Sequence, residues 1–315
     1  MPNLIVSPRF WEKKSVILKT ETTYGTDAAP TGASNYIEAR NVSLTSMDAE
    51  TAERNIVLEY FGSSGKIIAA MWSKLSFEFA LVGSGAAGTA PKWAPAMLGC
   101  AFAETTVVAT SVTYNLVSSA PGSLTAYLNI DGVNYKFVGA RGELKVSLTA
   151  KGIPMATVEL QSVYATPVVA AMPALTKTGW QVEEAVNAVN TTYLAVNGVN
   201  LPFSAFEYST GNKVARINLP GPQVEVAITD RAPQASATVL APALGVFNPY
   251  ALAEANTAIV ISNTHGSVAG KKVKSDLKGV IVGVTEDQVE GFLAYRLSFE
   301  LRPVVGNDEI ALVCI

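Results

Sequence analysis

The chain has 315 residues, of which 49% are apolar and 16% charged, and its 23 Lys and Arg stand against 26 Asp and Glu. Such apolar content excludes a disordered chain and suits one large domain or two ordinary ones. A net charge of −3 leaves no general electrostatic hold on nucleic acid, and two cysteines with one histidine exclude a disulfide framework and a His-rich metal centre.

Residues 1–8 are too short and too Pro-rich for a signal peptide, so a soluble protein made in a cytoplasm is expected. The texture is then all-β, in short runs of Val, Thr, Ser, Ala, Gly and Asn. Residues 47–60 are the most acidic stretch, with Asp48, Glu50, Glu53 and Glu59 but no Asp-rich calcium loop, and read as a solvated or subunit-facing strand and loop. Lys74-Leu75-Ser76-Phe77-Glu78-Phe79-Ala80-Leu81 alternates as a half-buried strand does. Gly83-Ser84-Gly85-Ala86-Ala87-Gly88 has the spacing of a dinucleotide loop. The alternation before it, and Pro91 and Pro95 after it, favour a plain Gly-rich loop.

Residues 91–102 suggest a short helix, with Cys100 as a small core residue. The uncharged stretch 105–130 carries Pro121, Gly122 and many Ser and Thr, so it predicts strands and turns rather than a membrane span. Asp131-Gly132 signals a hairpin, and residues 143–148 and 157–163 alternate on either side of a turn at Lys151-Gly152-Ile153-Pro154. Past a stretch rich in Ala, Val and Pro at 168–179, alternating runs return at 213–219, 224–229 and 295–301. Pro249 and Asn256 bracket a second short helix. His265 sits beside Gly266 in what reads as an exposed turn, and Lys271, Lys272, Lys274 and Lys278 read as the guard lysines of an edge strand or as a patch for an acidic partner surface.

The two halves echo one another. Residues 36–44 match 193–201 as Tyr-apolar, then Val, polar, Leu, and each is followed by a charged alternating run, a Gly and a strand. Both halves end on a three-strand pattern. The expectation is two diverged β domains, 1–170 and 180–315, joined by a linker at about 168–179.

Residues 20–105 resemble a known family, the tail tube (major tail) proteins of long-tailed bacteriophages. The resemblance rests on Glu21-Thr22-Thr23-Tyr24-Gly25-Thr26-Asp27-Ala28-Ala29-Pro30 and Tyr60-Phe61-Gly62. It rests most on Phe77-Glu78-Phe79-Ala80-Leu81-Val82-Gly83-Ser84-Gly85-Ala86-Ala87-Gly88-Thr89-Ala90-Pro91, running on through Leu98-Gly99-Cys100-Ala101-Phe102-Ala103-Glu104-Thr105. It implies tandem tail-tube-type β-sandwich or barrel domains, each with a short flanking helix. Subunits would join edge to edge into rings, and rings would stack into a hollow conduit through which genomic DNA is ejected. With two such domains in one chain, the resemblance implies trimers with pseudo-sixfold symmetry.

The implied partners are other copies, further tail proteins at the tube ends, and a tape-measure protein and passing DNA in the lumen without specific binding. No membrane and no cofactor is implied. The implied place is the virion tail, assembled in the bacterial host cytoplasm. Stretches 48–65 and 208–222 are expected as ring-stacking loops, with Asp48, Glu50, Glu53, Arg54, Tyr208, Lys213 and Arg216 as their contact residues. Glu78, Glu143, Glu159, Glu225 and Glu300 are expected to face the lumen. The alternatives are another virion ring protein such as a tail terminator, a β-sandwich binding module, and a nucleotide-dependent oxidoreductase using residues 83–88.

Overall fold

A computed structural model describes residues 8–315, so the reading of the first residues lies outside the described part. The first half runs β1 (Lys14–Thr20), β2 (Tyr36–Ile37), β3 (Arg40–Glu53), β4 (Lys66–Ala80), α1 (Ala94–Gly99), β5 (Phe102–Val107), β6 (Ser111–Leu116), β7 (Leu124–Ile130), β8 (Val133–Thr149), β9 (Met155–Val163) and β10 (Val168–Val169). The second runs β11 (Leu194–Val196), β12 (Val199–Leu201), β13 (Phe203–Ser209), β14 (Asn212–Asn218), β15 (Val224–Arg231), β16 (Gln234–Leu240), α2 (Pro249–Glu254), β17 (Ile259–His265), β18 (Val273–Val289), β19 (Phe292–Leu301) and β20 (Ile310–Cys314). The fold is all-β, with two six-residue helices among the described residues.

Local chemistry explains the connections. Asp131-Gly132, Asn197-Gly198 and Glu290-Gly291 each take positive φ at both residues and close two-residue hairpins, the turn whose twist matches that of the strands. At α2, Asn248 caps the helix by accepting from the Ala251 N–H at 3.1 Å, and Pro249 opens it.

The strand pairing has an internal order. In the first half it reads β3, β4, β9, β8, β7, β1, β2, with β10 beside the start of β8. In the second it reads β13, β16, β19, β18, β17, β11, β12, with β20 beside the start of β18. β8 and β18 are each 17 residues long and pass from one group of neighbours to another at a glycine. A Cβ on Gly142 would lie 2.0 Å from the Glu159 carbonyl oxygen, and one on Gly279 would lie 2.3 Å from that of Glu300. In this order β11 stands where β1 stands. The sequence match of 36–44 with 193–201 therefore sets unlike strands side by side, because short alternating runs look alike whatever their neighbours.

Two features depart from the repeated order. The β5–β6 hairpin of the first half adds onto β20 of the second. The second half splits the long β3–β4 type of hairpin at 210–211 and 232–233, leaving β14 and β15 as a separate two-stranded arm. The halves join through β8 and β13, which pair from Lys145↔Ser209 to Thr149↔Ala205. One continuous hydrophobic core runs through both, from Val16 and Phe77 to Phe206, Leu297 and Leu312.

Candidate assembly surfaces

The joined sheet β3-β4-β9-β8-β13-β16-β19-β18 has two unlike faces. One carries Leu75, Phe77, Val158, Leu144, Val146, Phe206, Ala237 and Leu297 into the core. The other, fixed by the same registers, carries Ser43, Ser76, Glu78, Glu159, Glu143, Lys145, Ser147, Glu207, Ser236, Ser298, Glu300 and Thr285. Strands pleat with a period of two, and the pairing is free of shifts from Ser76 through Glu159, Glu143 and Ser147 to Glu207, Ser236 and Ser298, so a polar sheet surface spans both halves.

Four of the five acids expected in the lumen lie on this polar face. Glu78 accepts from Asn41 Nδ2 at 2.6 Å, and Glu300 pairs with Arg302 at 3.1 Å. Glu143 and Glu159 are directly opposed across β8 and β9. Burial, then the Glu159 charge, pushes the Glu143 carboxyl above its ordinary range. The cations on this face are tied down: Lys74 to Asp48 at 3.1 Å, Lys145 to Glu207 at 3.0 Å, Arg296 to Asp287 at 2.8 Å. Glu225 stands apart on β15, outside this sheet, 4.0 Å from Arg141.

The stretches expected as stacking loops are mostly hairpin arms. Asp48, Glu50 and Glu53 belong to β3; only residues 54–65 form the loop. Trp72 Nε1 donates to Glu50 at 2.9 Å, and Lys66 pairs with Glu53 at 2.6 Å. Arg54 starts the loop, its N–H donating to the Gly65 carbonyl. Lys213 and Arg216 lie on β14, followed by a turn at 219–223. Tyr208 is a correction. It is 2% exposed in β13, and its hydroxyl meets Ser275 Oγ at 2.8 Å, so it is a core residue and not an exposed loop contact.

The 54–65 tip is rich in exposed apolar side chains. Ile56, Val57, Tyr60 and Phe61 all stand in solvent, Val57 at 96% exposure. The arms themselves pack together: Trp72 and Ala70 of the first meet Val226 of the second in a small separate core, with Val163 and Val214 against it.

The remaining chemical features have structural roles. The Gly83 and Gly85 N–H groups donate to the carbonyls of Lys271 and Gly270 at 3.1 and 2.9 Å, so this loop docks onto the second half and holds out no nest for a phosphate. His265 ends β17, buried, with Nδ1 2.9 Å from Thr191 Oγ1; the expected exposed turn starts one residue later. Burial lowers its pKa and raises that of the Cys100 thiol. Lys274 and Lys278 are not edge lysines, because β17 and β20 flank their part of β18 on both sides.

Residues 11–302 match the family described as phage tail tube protein. The chain belongs to that family. It is accordingly a structural subunit of a phage tail tube, a component of the virion tail that assembles with copies of itself and with other tail proteins. The family is a structural one, and the tube protein's His265, Cys100 and Cys314 are buried. No curated protein matches the chain. The Lys145–Glu207 seam of the tube protein escaped the sequence reading. The signal was present in the alternation of residues 203–209, but nothing local says which edge such a strand will join.

Proposed function

We infer that the tube protein is a double subunit, in which residues 1–170 and 180–315 are two copies of one tube domain. Three chains would close a ring of six equivalent domains, and rings would stack into the conduit for the ejected genome, assembled in the host cytoplasm. The observation that carries this is the repeated pairing order, together with the β8–β13 seam that already joins two such domains into one sheet. A ring is a closed set of heterologous contacts, and stacking rings gives an open filament.

The polar face is the one that would line the lumen. Its opposite face is covered by the core of the same chain, so only the polar face can remain wet once the ring closes. With its lysines and arginines tied to carboxylates, that surface would repel passing phosphate weakly and hold neither DNA nor a tape-measure protein specifically. The tips at 54–65 and 219–223, with the apolar residues of the former, would reach the adjacent ring.

End-view averaging in electron microscopy of the purified chain, or of tails containing it, tests this. Rings with a central hole, three chains and six similar lobes are expected. A ring of six chains, or no ring under any nucleating condition, would overturn it.

A further inference from the structure

The chain contains its own template for the contact between copies. β13 lies on the edge of β8, on the side that β7 occupies further up the strand. β18 has the same free edge: Gly279 pairs with Ile259 of β17 on one side and Leu301 of β19 on the other, and past Gly279 the β17 side has no strand partner among the described residues. β3, which holds the place of β13 in the pairing order, likewise has β4 on one edge and no strand partner on the other among the described residues. The chain thus ends in two complementary open edges, one at each limit of the joined sheet. We propose that the β3 edge of one copy pairs antiparallel with the β18 edge of the next, in the register of the β8–β13 seam. This rests on the ring reading above and adds to it which strands meet and how.

The register follows from equivalent positions. Glu159 and Glu300 oppose Gly142 plus one and Gly279 plus one in the two copies, and the bulge between Ile281 and Gly283 then sets Gly283 in the place of Lys145. Ser76 and Gln234 both oppose those glutamates, which sets Ser43 in the place of Ser209 and Arg40 in the place of Glu207. The Lys145↔Ser209 and Ser147↔Glu207 pairs of the seam translate to Gly283↔Ser43 and Thr285↔Arg40 between copies.

Three observations fit this pairing. Val42 and Val284, both half-buried against the core, fall opposite each other. Arg40 falls diagonal to Asp287, which stands where the first copy has Thr149, so a cation of β3 meets an anion of β18; within one chain Arg40 pairs with Glu183 and Asp287 with Arg296. Charge also sets the order, because β3 on a β8-type edge would put Arg40 where Glu207 stands, diagonal to Lys145, and like charges oppose that pairing. Third, the β14–β15 arm folds over the first half and buries Val226 completely, whereas the matching β3–β4 arm leaves Ile67, Ile68 and Met71 exposed, Ile68 at 51%. A neighbouring second half at the proposed seam would cover them. Two long open edges on one soluble chain are otherwise an aggregation hazard.

The test is disulfide trapping in assembled tubes, with the native Cys100 and Cys314 both buried. The double variant Ser43→Cys with Gly283→Cys should give a reducible ladder ending at the closed ring in denaturing gels. A control, Ser43→Cys with Val289→Cys, is out of register and should give none. Tubes of normal appearance that cross-link in the control pair only, or in neither, would overturn the seam while leaving the tube reading intact. Variants and parent chain that both fail to form rings would remove the tube reading and the seam with it.

Discussion

Arg216 and Asp48, far apart in the chain, meet at 2.9 Å where the second-half arm lies against the first. The same guanidinium donates from Nε to Gln161 at 2.8 Å and lies 5.9 Å from the centre of the Trp72 ring. Asp48 also takes Lys74, and these two cations hold its carboxyl below the usual range.

Arg216→Ala should therefore loosen the arm rather than only remove a surface charge. The guanidinium is mostly covered, so its loss deletes packing on Trp72 along with two polar contacts. A cost of about 1–2 kcal/mol is expected, read by denaturant unfolding, with Arg216→Lys recovering only part because a lysine cannot serve both acceptors as a fork. An unchanged midpoint would mean the arm is held elsewhere.

The docking of the Gly-rich loop makes a second prediction. A Cβ at Gly83 would lie 2.3 Å from the Gly270 carbonyl oxygen, which is backbone and cannot swing aside. Gly83→Ala should cost about 1–3 kcal/mol and lower the melting temperature by several degrees, about 2–4 °C per kcal/mol for a chain of this class. Gly62→Ala meets open space and should change nothing. Equal melting temperatures for the two variants would show that the loop does not dock.

How much of this was legible in the residues depends on range. Alternation at Lys74–Leu81 and the Asp131-Gly132 turn are local signals, and β4 and the β7–β8 hairpin stand where they point. So is the pattern Phe77 to Thr105 that carries the family resemblance. Pairing is not local: Tyr208 reads as the first residue of the stacking stretch 208–222, yet its ring is buried and its hydroxyl meets Ser275. His265 reads as exposed beside Gly266, but Thr191, distant in sequence, closes over it. Among the acids, period-two alternation placed Glu78, Glu143, Glu159 and Glu300 on one face, whereas Glu225 fell off it because the break at 232–233 detaches β15 from β16.

The opposed pair Glu143 and Glu159 gives a pH dependence. Glu143 titrates above its ordinary 4.5 in the folded chain, owing first to burial and then to Glu159. The folded state therefore holds that proton more tightly than the unfolded state, and stability falls as pH rises from about 4.5 through the folded value. Glu159→Gln removes the like charge and should stabilise by about 0.2–1 kcal/mol at neutral pH. The gain should shrink at pH about 4, where Glu143, held above its ordinary 4.5, is largely neutral and no longer opposes a charge at position 159. A gain that is equal at both pH values would assign it to something other than charge.

The loop tip can be separated from the arm that bears it. Replacing residues 54–65 by a two-residue Asn-Gly turn keeps Asp48 and Trp72 in place while removing Ile56, Val57, Tyr60 and Phe61. Rings without long tubes are expected in micrographs, because the side walls survive and the axial apolar contact does not. Tubes of normal length would assign stacking to other surfaces, the 219–223 turn first among them.

The polar face offers the last test. Glu159 and Glu300 lie on it without burial, so Glu159→Lys and Glu300→Lys should fold and assemble. If that face lines the conduit, every domain in every ring then presents cations to the passing backbone. Phosphate would be held at each ring, and genome ejection should slow. The delay should shrink as salt rises, because the screening length falls from about 10 Å at 0.1 M to about 3 Å at 1 M. Glu225→Lys serves as the control, since that residue lies outside the sheet. Ejection that is slowed equally by all three variants would deny the face any special place, and ejection unchanged by the first two would turn it away from the lumen.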